Sequence, residues 1–212
     1  MKKKLSSMPS FVPTMISMLL WIGILVFFWE MGARKMDLTK RTPENILPHL
    51  KNIWEAIISN KKVAGGKTAL QVVLSSAGMT LLRALYGFLA GTAFGFLLAL
   101  VMKMSGIVEK LLFPYLMLIQ MIPILGMAPI ILSITGDINV SRVVIAGILT
   151  FYPVATNTLA GFNAVEKEKY ELMYTYAAGK ATIYRKVLIP YSIPYFFTGL
   201  KIAAPMAITA SI

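Results

Sequence analysis

The apolar residues of this chain come in long, nearly unbroken runs, and that spacing decides what it can fold into. Such runs cover Val12–Met31, Met79–Met102, Leu111–Ile134 and Val143–Phe162, and a fifth starts near Pro194 and is still running at Ile212. A helix of about 20 apolar residues is long enough to cross a hydrocarbon core. With 57% hydrophobic residues and a mean hydropathy of +0.71, 212 residues carry more apolar surface than a soluble core of that size can hide. The alternating ten-residue pattern of a membrane barrel is absent. The expected fold is therefore all-α: a polytopic membrane helical bundle with five visible spans. A helix that stops inside an apolar run leaves carbonyls that lipid cannot satisfy. The sequence is thus expected to lack a sixth span at its carboxyl end.

Three regions follow. Residues 1–33 form an amino-terminal tail and first span; "MKKK" and the run Phe11–Trp29 are too long for a signal peptide and lack its cleavage site. Residues 34–78 form an external segment. In it Ile46, Leu47, Leu50, Ile53, Trp54, Ile57 and Ile58 recur at helical spacing, predicting an amphipathic helix with Thr42 as N-cap and Pro43 at its first position. His49, the one histidine, falls on its polar side and by itself makes neither a metal site nor a catalytic dyad. Residues 79–212 form the core, interrupted by a charged loop at 166–190.

The net charge of +12 does not point to nucleic acid. The basic residues lie in loops and at span ends, where anionic headgroups and orientation signals account for them. Lys103 and Lys110, and then Lys167, Lys169, Lys180, Arg185 and Lys186, mark their loops as cytoplasmic. Counting spans back puts the amino terminus, with Lys2, Lys3 and Lys4, on the same side. The segment 34–67 then lies outside although it holds eight Lys and Arg against three acids.

Within the spans, Gly87, Gly91 and Gly95 stack at four-residue spacing and invite another backbone. Span 3 carries Pro114, Pro123 and Pro129, and irregular backbone at membrane depth must face protein or water. Its Gln120 either bonds a neighbour or lines a pathway. Span 4 bears a polar stripe with Thr150, Tyr152 and Asn157, which bonds across helices or to a solute. Lys201 lies seven residues beyond Pro194, about 10 Å along a helix, where a charge needs water or a partner. These five residues are the candidate pathway lining. The only acid within a span, Glu30, sits at an edge, which disfavours an ion-coupled secondary transporter. No cysteine and one histidine exclude thiolate metal sites and leave an intramembrane enzyme without a nucleophile–base pair. No catalytic residue, metal or cofactor is expected.

The loop "EKEKYELMYTYAAGKATIYRKVLIP" predicts two short helices at an angle, the second ended by Pro190. Gly179 can supply the bend. The loop resembles the EAA loop of importer-type ABC-transporter permeases, E-A-A, three residues, G, nine residues, I-x-L-P. Glu171, Leu172 and Met173 take the first positions, Ala177 that of the glycine, and Val187, Ile189 and Pro190 the last. "TLLRALYGFLAGTAFGFLLAL", "FYPVATNTLAGF", "IPYFFTGLKIAAPMA" and "ENILPHLKNIWEAI" are similar to the nitrate/sulfonate/taurine-like branch, whose six spans agree with a missing one here.

The resemblance implies a prokaryotic cell-membrane transport subunit that is not itself an enzyme. Two permease copies, as a homodimer, would form the pathway, and a solute-binding protein outside would deliver the solute. The loop would dock on an ATP-binding ABC subunit, with Glu171 meeting basic groups and Tyr170, Met173 and Tyr174 anchoring. Ala177 in a helical conformation, Gly179, or both would make the bend. The chain has no G-x-x-x-x-G-K-[ST] loop, so ATP would bind a separate chain. The implied substrates run from sulfonates and nitrate to pyrimidine precursors and flavins; Lys201 suits an anion, and the aromatics of spans 3 to 5 suit a flat heterocycle.

Overall fold

The computed structural model describes residues 11–212. The expected cytoplasmic amino terminus, with Lys2, Lys3 and Lys4, lies outside the described residues. Among those residues, regular structure is helical apart from one isolated bridge, Lys62 to Thr68. Four helices are long and apolar enough to cross a membrane, or five if one bent pair is a single span. The chain divides into two compact units, Met1–Leu74 and Ser75–Ile212.

In the first unit, helix α1 (Phe11–Thr39) contains the expected first span and runs on to Thr39, whose hydroxyl donates to the Lys35 carbonyl. The amphipathic helix of this segment begins later than its periodicity suggests. Pro43 opens only a 3-10 turn, Pro43–Asn45, and Thr42 makes no side-chain cap. The amphipathic helix α2 is Leu50–Ile58. Pro48 explains the break, because a residue before proline, here Leu47, is pushed out of the helical region.

His49 stands just before α2 and is more than a polar-face residue. Its Nδ1 lies 2.6 Å from Glu30 Oε1 and its Nε2 lies 2.7 Å from Asp37 Oδ2. The acids are seven apart on α1 and share a face. Trp29 Nε1 adds a bond to the Pro48 carbonyl at 3.0 Å. A neutral imidazole has one donor, so bonding both carboxylates requires the imidazolium. The bond to Asp37, then that to Glu30, raises the His49 pKa above its ordinary 6.5. A raised folded pKa means the clamp is fully present below the ordinary value and is lost as pH rises through the folded one. Amides of α2 should therefore exchange faster, relative to their intrinsic rates, on the alkaline side. His49→Gln should abolish that difference; a variant that keeps it would refute the clamp.

In the second unit, α3 (Ala69–Met104, of which the part from Ser75 on lies in this unit), α6 (Ile138–Asn163) and α9 (Ile189–Ala210) meet through glycines. A methyl added at Gly87 would sit 2.5 Å from the Ala146 side chain, at Gly91 it would run into the Gly147 carbonyl, and at Gly95 it would sit 2.7 Å from the Phe151 carbonyl. These three positions place α3 directly on the backbone of α6. The other side of α6 is treated alike: Gly161 faces Ser192 and Gly199 faces the Pro153 carbonyl of α6. Helices without side chains between them gain dispersion contact that lipid would otherwise supply. A core of Met102, Leu116, Leu159, Phe162, Ile183 and Leu188 lies towards one end of the unit. A second, with Ile131, Ile145, Ala146 and Ala207, lies towards the other.

The third run is not one kinked rod. It is broken into α4 (Gly106–Met121) and α5 (Ala128–Thr135), separated by a 3-10 turn at Ile124–Met127, with a bend of 74°. Its prolines act differently. Pro114 is carried inside α4, Pro129 opens α5 where a missing N–H costs nothing, and Pro123 stands at the break. Gly136, at φ +69, closes α5.

Candidate functional site

The loop at 166–190 folds as a knob. Helix α7 (Lys167–Thr175) carries two short-range ion pairs, Lys167 with Glu171 at 3.5 Å and Lys169 with Glu166 at 3.2 Å. It ends in a Schellman motif. The Ala178 N–H donates to the Met173 carbonyl at 3.0 Å and the Ala177 N–H to the Tyr174 carbonyl at 2.9 Å. That arrangement needs a left-handed residue at the second of these turns, and Ala177 takes it at φ +49. Ala177 is the one described non-glycine residue with positive φ. Gly179 does not make the bend; it is extended at φ −69, a conformation open to any residue.

The position matched to the glycine of the EAA pattern is thus the position that requires glycine's freedom. Alanine there costs about 1 kcal/mol. Ala177→Gly should stabilise the knob by about that free energy and raise its unfolding midpoint, and Ala177→Val should lower it. Equal stability of all three proteins would contradict the cap.

Pro190 does not end the second half of the knob, and the helix that carries the last apolar run begins well before Pro194. Helix α8 (Lys180–Ile183) passes through a π-helical turn, Tyr184–Leu188, straight into α9, giving one helical stretch Lys180–Ala210. The wide turn falls where the Pro190 ring would otherwise press on the preceding turn.

The knob has an inner and an outer face. Tyr170, Met173, Val187 and Ile189 pack on the buried core that includes Phe162, Val165, Ile183 and Leu188. The Tyr170 hydroxyl is buried without a hydrogen-bond partner among the described residues, and burial raises its pKa. Glu171 and Tyr174 point outward, joined by Leu172 and Tyr176, which are exposed although both are apolar. Pro190 is exposed and borders a groove of about 410 Å³ with Lys169, Met173, Lys186 and Tyr191, where Lys169 Nζ stands 4.5 Å from the Tyr191 ring centre.

A second feature lies between the helices. A cavity of about 430 Å³ brings together Gln120, Tyr152 and Asn157, with Thr156 beside them and Ile122 and Ile124 from either side of Pro123. Asn157 Nδ2 donates to the Pro153 carbonyl at 2.7 Å, and Thr156 Oγ1 to the Tyr152 carbonyl at 2.9 Å. The Tyr152 hydroxyl points to Met117 Sδ at 3.6 Å. No charged side chain lines this cavity. The structure does not bring Thr150 or Lys201 to it. Thr150 is buried against Gly91 and donates to the Ala146 carbonyl, while Lys201 is exposed. A β-hydroxyl that returns to its own helix is silent in a polarity pattern, which is why Thr150 reads like its neighbours. Among the described residues, no group of His, Cys, Asp and Glu could hold a metal.

Comparison with known proteins agrees with this architecture. The chain is 28% identical to the formylaminopyrimidine transport permease protein ThiX of Halalkalibacterium halodurans over 189 residues, 89% of this chain and 70% of that one. It is 29% identical to the nitrate import permease protein NrtB of Synechococcus elongatus over 160 residues, 74% of this chain and 56% of that one. It is 30% identical to the riboflavin transport system permease protein RibX of Chloroflexus aurantiacus over 104 residues, 49% of this chain and 39% of that one. Residues 91–212, which hold α6, α9, the cavity, the knob and α3 from Gly91 on, match the family described as binding-protein-dependent transport system inner membrane component. The chain therefore belongs to that family, the importer-type permeases of ABC transporters.

Proposed function

We propose that this chain is the membrane subunit of an ATP-driven importer of a small organic or anionic solute, coupled to a separate ATPase through the loop 166–190. The observation that carries this reading is the knob itself. Its outer face offers Glu171, Leu172, Tyr174 and Tyr176 to a partner, and its second half is continuous with α9. A partner that grips the knob therefore grips a span. Exposed aromatic side chains around a charged one are the usual composition of a protein-binding hot spot.

The assembly would contain two copies of this chain as a homodimer, an ATP-binding subunit on the cytoplasmic side and a solute-binding protein outside. It would sit in the cell membrane of a prokaryote, with the amino terminus cytoplasmic. Gln120, Tyr152 and Asn157 would line the route. The relatives' names span a pyrimidine, nitrate and riboflavin, and the choice among such solutes would rest with the binding protein.

The test is reconstitution. The chain, co-expressed with a candidate ATPase and solute-binding protein from the same organism, should purify with the ATPase. In liposomes it should move solute only when ATP is supplied on the ATPase side, and collapse of ion gradients should change nothing. Transport without the ATPase, lost when the proton gradient is collapsed, would make the chain a secondary carrier instead.

A further inference from the structure

Where the knob meets the membrane end of the bundle there is a cavity of about 580 Å³ that the proposed transport role does not use. Its walls are Leu100, Met104, Ala181, Tyr184 and Ile189, and its two charged residues are Lys180 and Arg185. Lys180, Ala181, Tyr184 and Arg185 are spaced one, four and five residues along one helical stretch and so share a face. Leu100 and Met104, four apart, share a face on the last turn of α3.

The two cations stand together at one end of the groove, free to meet an anion. Lys167 and Lys169 on the same knob are paired with acids, yet neither Lys180 nor Arg185 has an ion pair among the described residues. The apolar wall continues onto the outer flank of α3, where Leu97, Val101 and Met104 are exposed in a helix long enough to span a bilayer. The groove is thus open to lipid along one side and carries two unpaired cations at its polar end. An acidic peptide would match the cations but not an apolar wall that runs on into a lipid-facing flank. A molecule with an acyl chain and an anionic head matches both.

We propose that this groove binds an anionic glycerophospholipid, its acyl chain along Leu100, Met104 and Ile189 and its phosphate between Lys180 and Arg185. The site needs only that α3 and α9 span the bilayer, and it stands whether or not the knob docks on an ATPase. The bound lipid would brace the base of the knob against α3.

The test uses the purified full chain in nanodiscs or mild detergent, with phosphatidylglycerol and phosphatidylcholine of equal chain length as probes. Native mass spectrometry should find phosphatidylglycerol retained and phosphatidylcholine lost. Two cations near an anionic head should favour retention by about thirtyfold, a preference that K180Q/R185Q removes. Both side chains are exposed, so the variant keeps its fold. Ala181→Trp, which fills the groove and leaves both charges in place, should also lose the lipid. Equal retention of the two lipids, or unchanged retention in either variant, would overturn the proposal. So would displacement of the lipid by millimolar inorganic phosphate, which would make the site one for free phosphate.

Discussion

Gly91→Leu should yield a chain that no longer assembles its membrane core, and Gly91→Ala should already be measurably damaged. A single methyl at Gly91 would run into the Gly147 carbonyl oxygen and stand 2.7 Å from the Thr150 Cβ. The first is backbone, and Thr150 is fully buried with its hydroxyl tied to its own helix. Nothing at the contact can swing aside, so α3 and α6 must separate, and every other contact along that face weakens with them. Overpacking of this kind costs about 1–3 kcal/mol. For a chain of this size that corresponds to a fall of roughly 3–10 °C in Tm for the alanine variant. Gly106→Ala is the control, because a methyl there meets nothing within 4 Å. Thermal unfolding of the detergent-purified variants checks the contrast. If Gly91→Ala melted with the wild type, the glycine face would not be holding α3 to α6.

The other large effect is expected on transport. Glu171→Lys should reduce solute uptake by about thirtyfold or more, if the proposed docking face is used, by reversing the charge at its centre. Expression and Tm should not change. Glu171 is exposed and its one ion pair, with Lys167 at 3.5 Å, is the short-range surface kind that adds little to stability. That separation of readouts matters because Tyr170 and Met173 face the core. Truncating either would damage the knob and the docking at once. ATPase co-purification should fall with uptake. Wild-type uptake by Glu171→Lys would remove the loop from the coupling route.

What could be read in the sequence follows from range. The spans were legible because hydrophobic length is a property of one segment, and the glycine face of α3 because a four-residue period is local too. The helix ends were less so. Pro48, Pro123 and Pro190 are chemically identical, yet one breaks α2's periodicity, one breaks a span, and one is carried within a continuous helix by a π turn. Which outcome a proline takes depends on packing that its neighbours in sequence do not reveal. The His49 clamp was illegible for the same reason, since its partners lie 19 and 12 residues away. In the knob, the pattern of the loop was visible but its facing was not. Tyr170 and Tyr174 look equivalent in sequence, and only the core beneath α7 sends one inward and leaves the other outside. The cavity brings Gln120 of α4 to Tyr152 and Asn157 of α6, whereas polarity alone gave Thr150 and Lys201 equal weight with them.

The unbroken helix from Lys180 to Ala210 makes the knob and the last span a single lever. Its 31 residues are about 46 Å long at the usual rise. A tilt of about 10° around its middle would carry each end through about 4 Å, more than the radius of a small solute. Gly199, where this rod touches the Pro153 carbonyl, lies past the midpoint and offers a bearing with no side chain in the way. A push at one membrane face would arrive at the other as displacement, with no loop between them to absorb it.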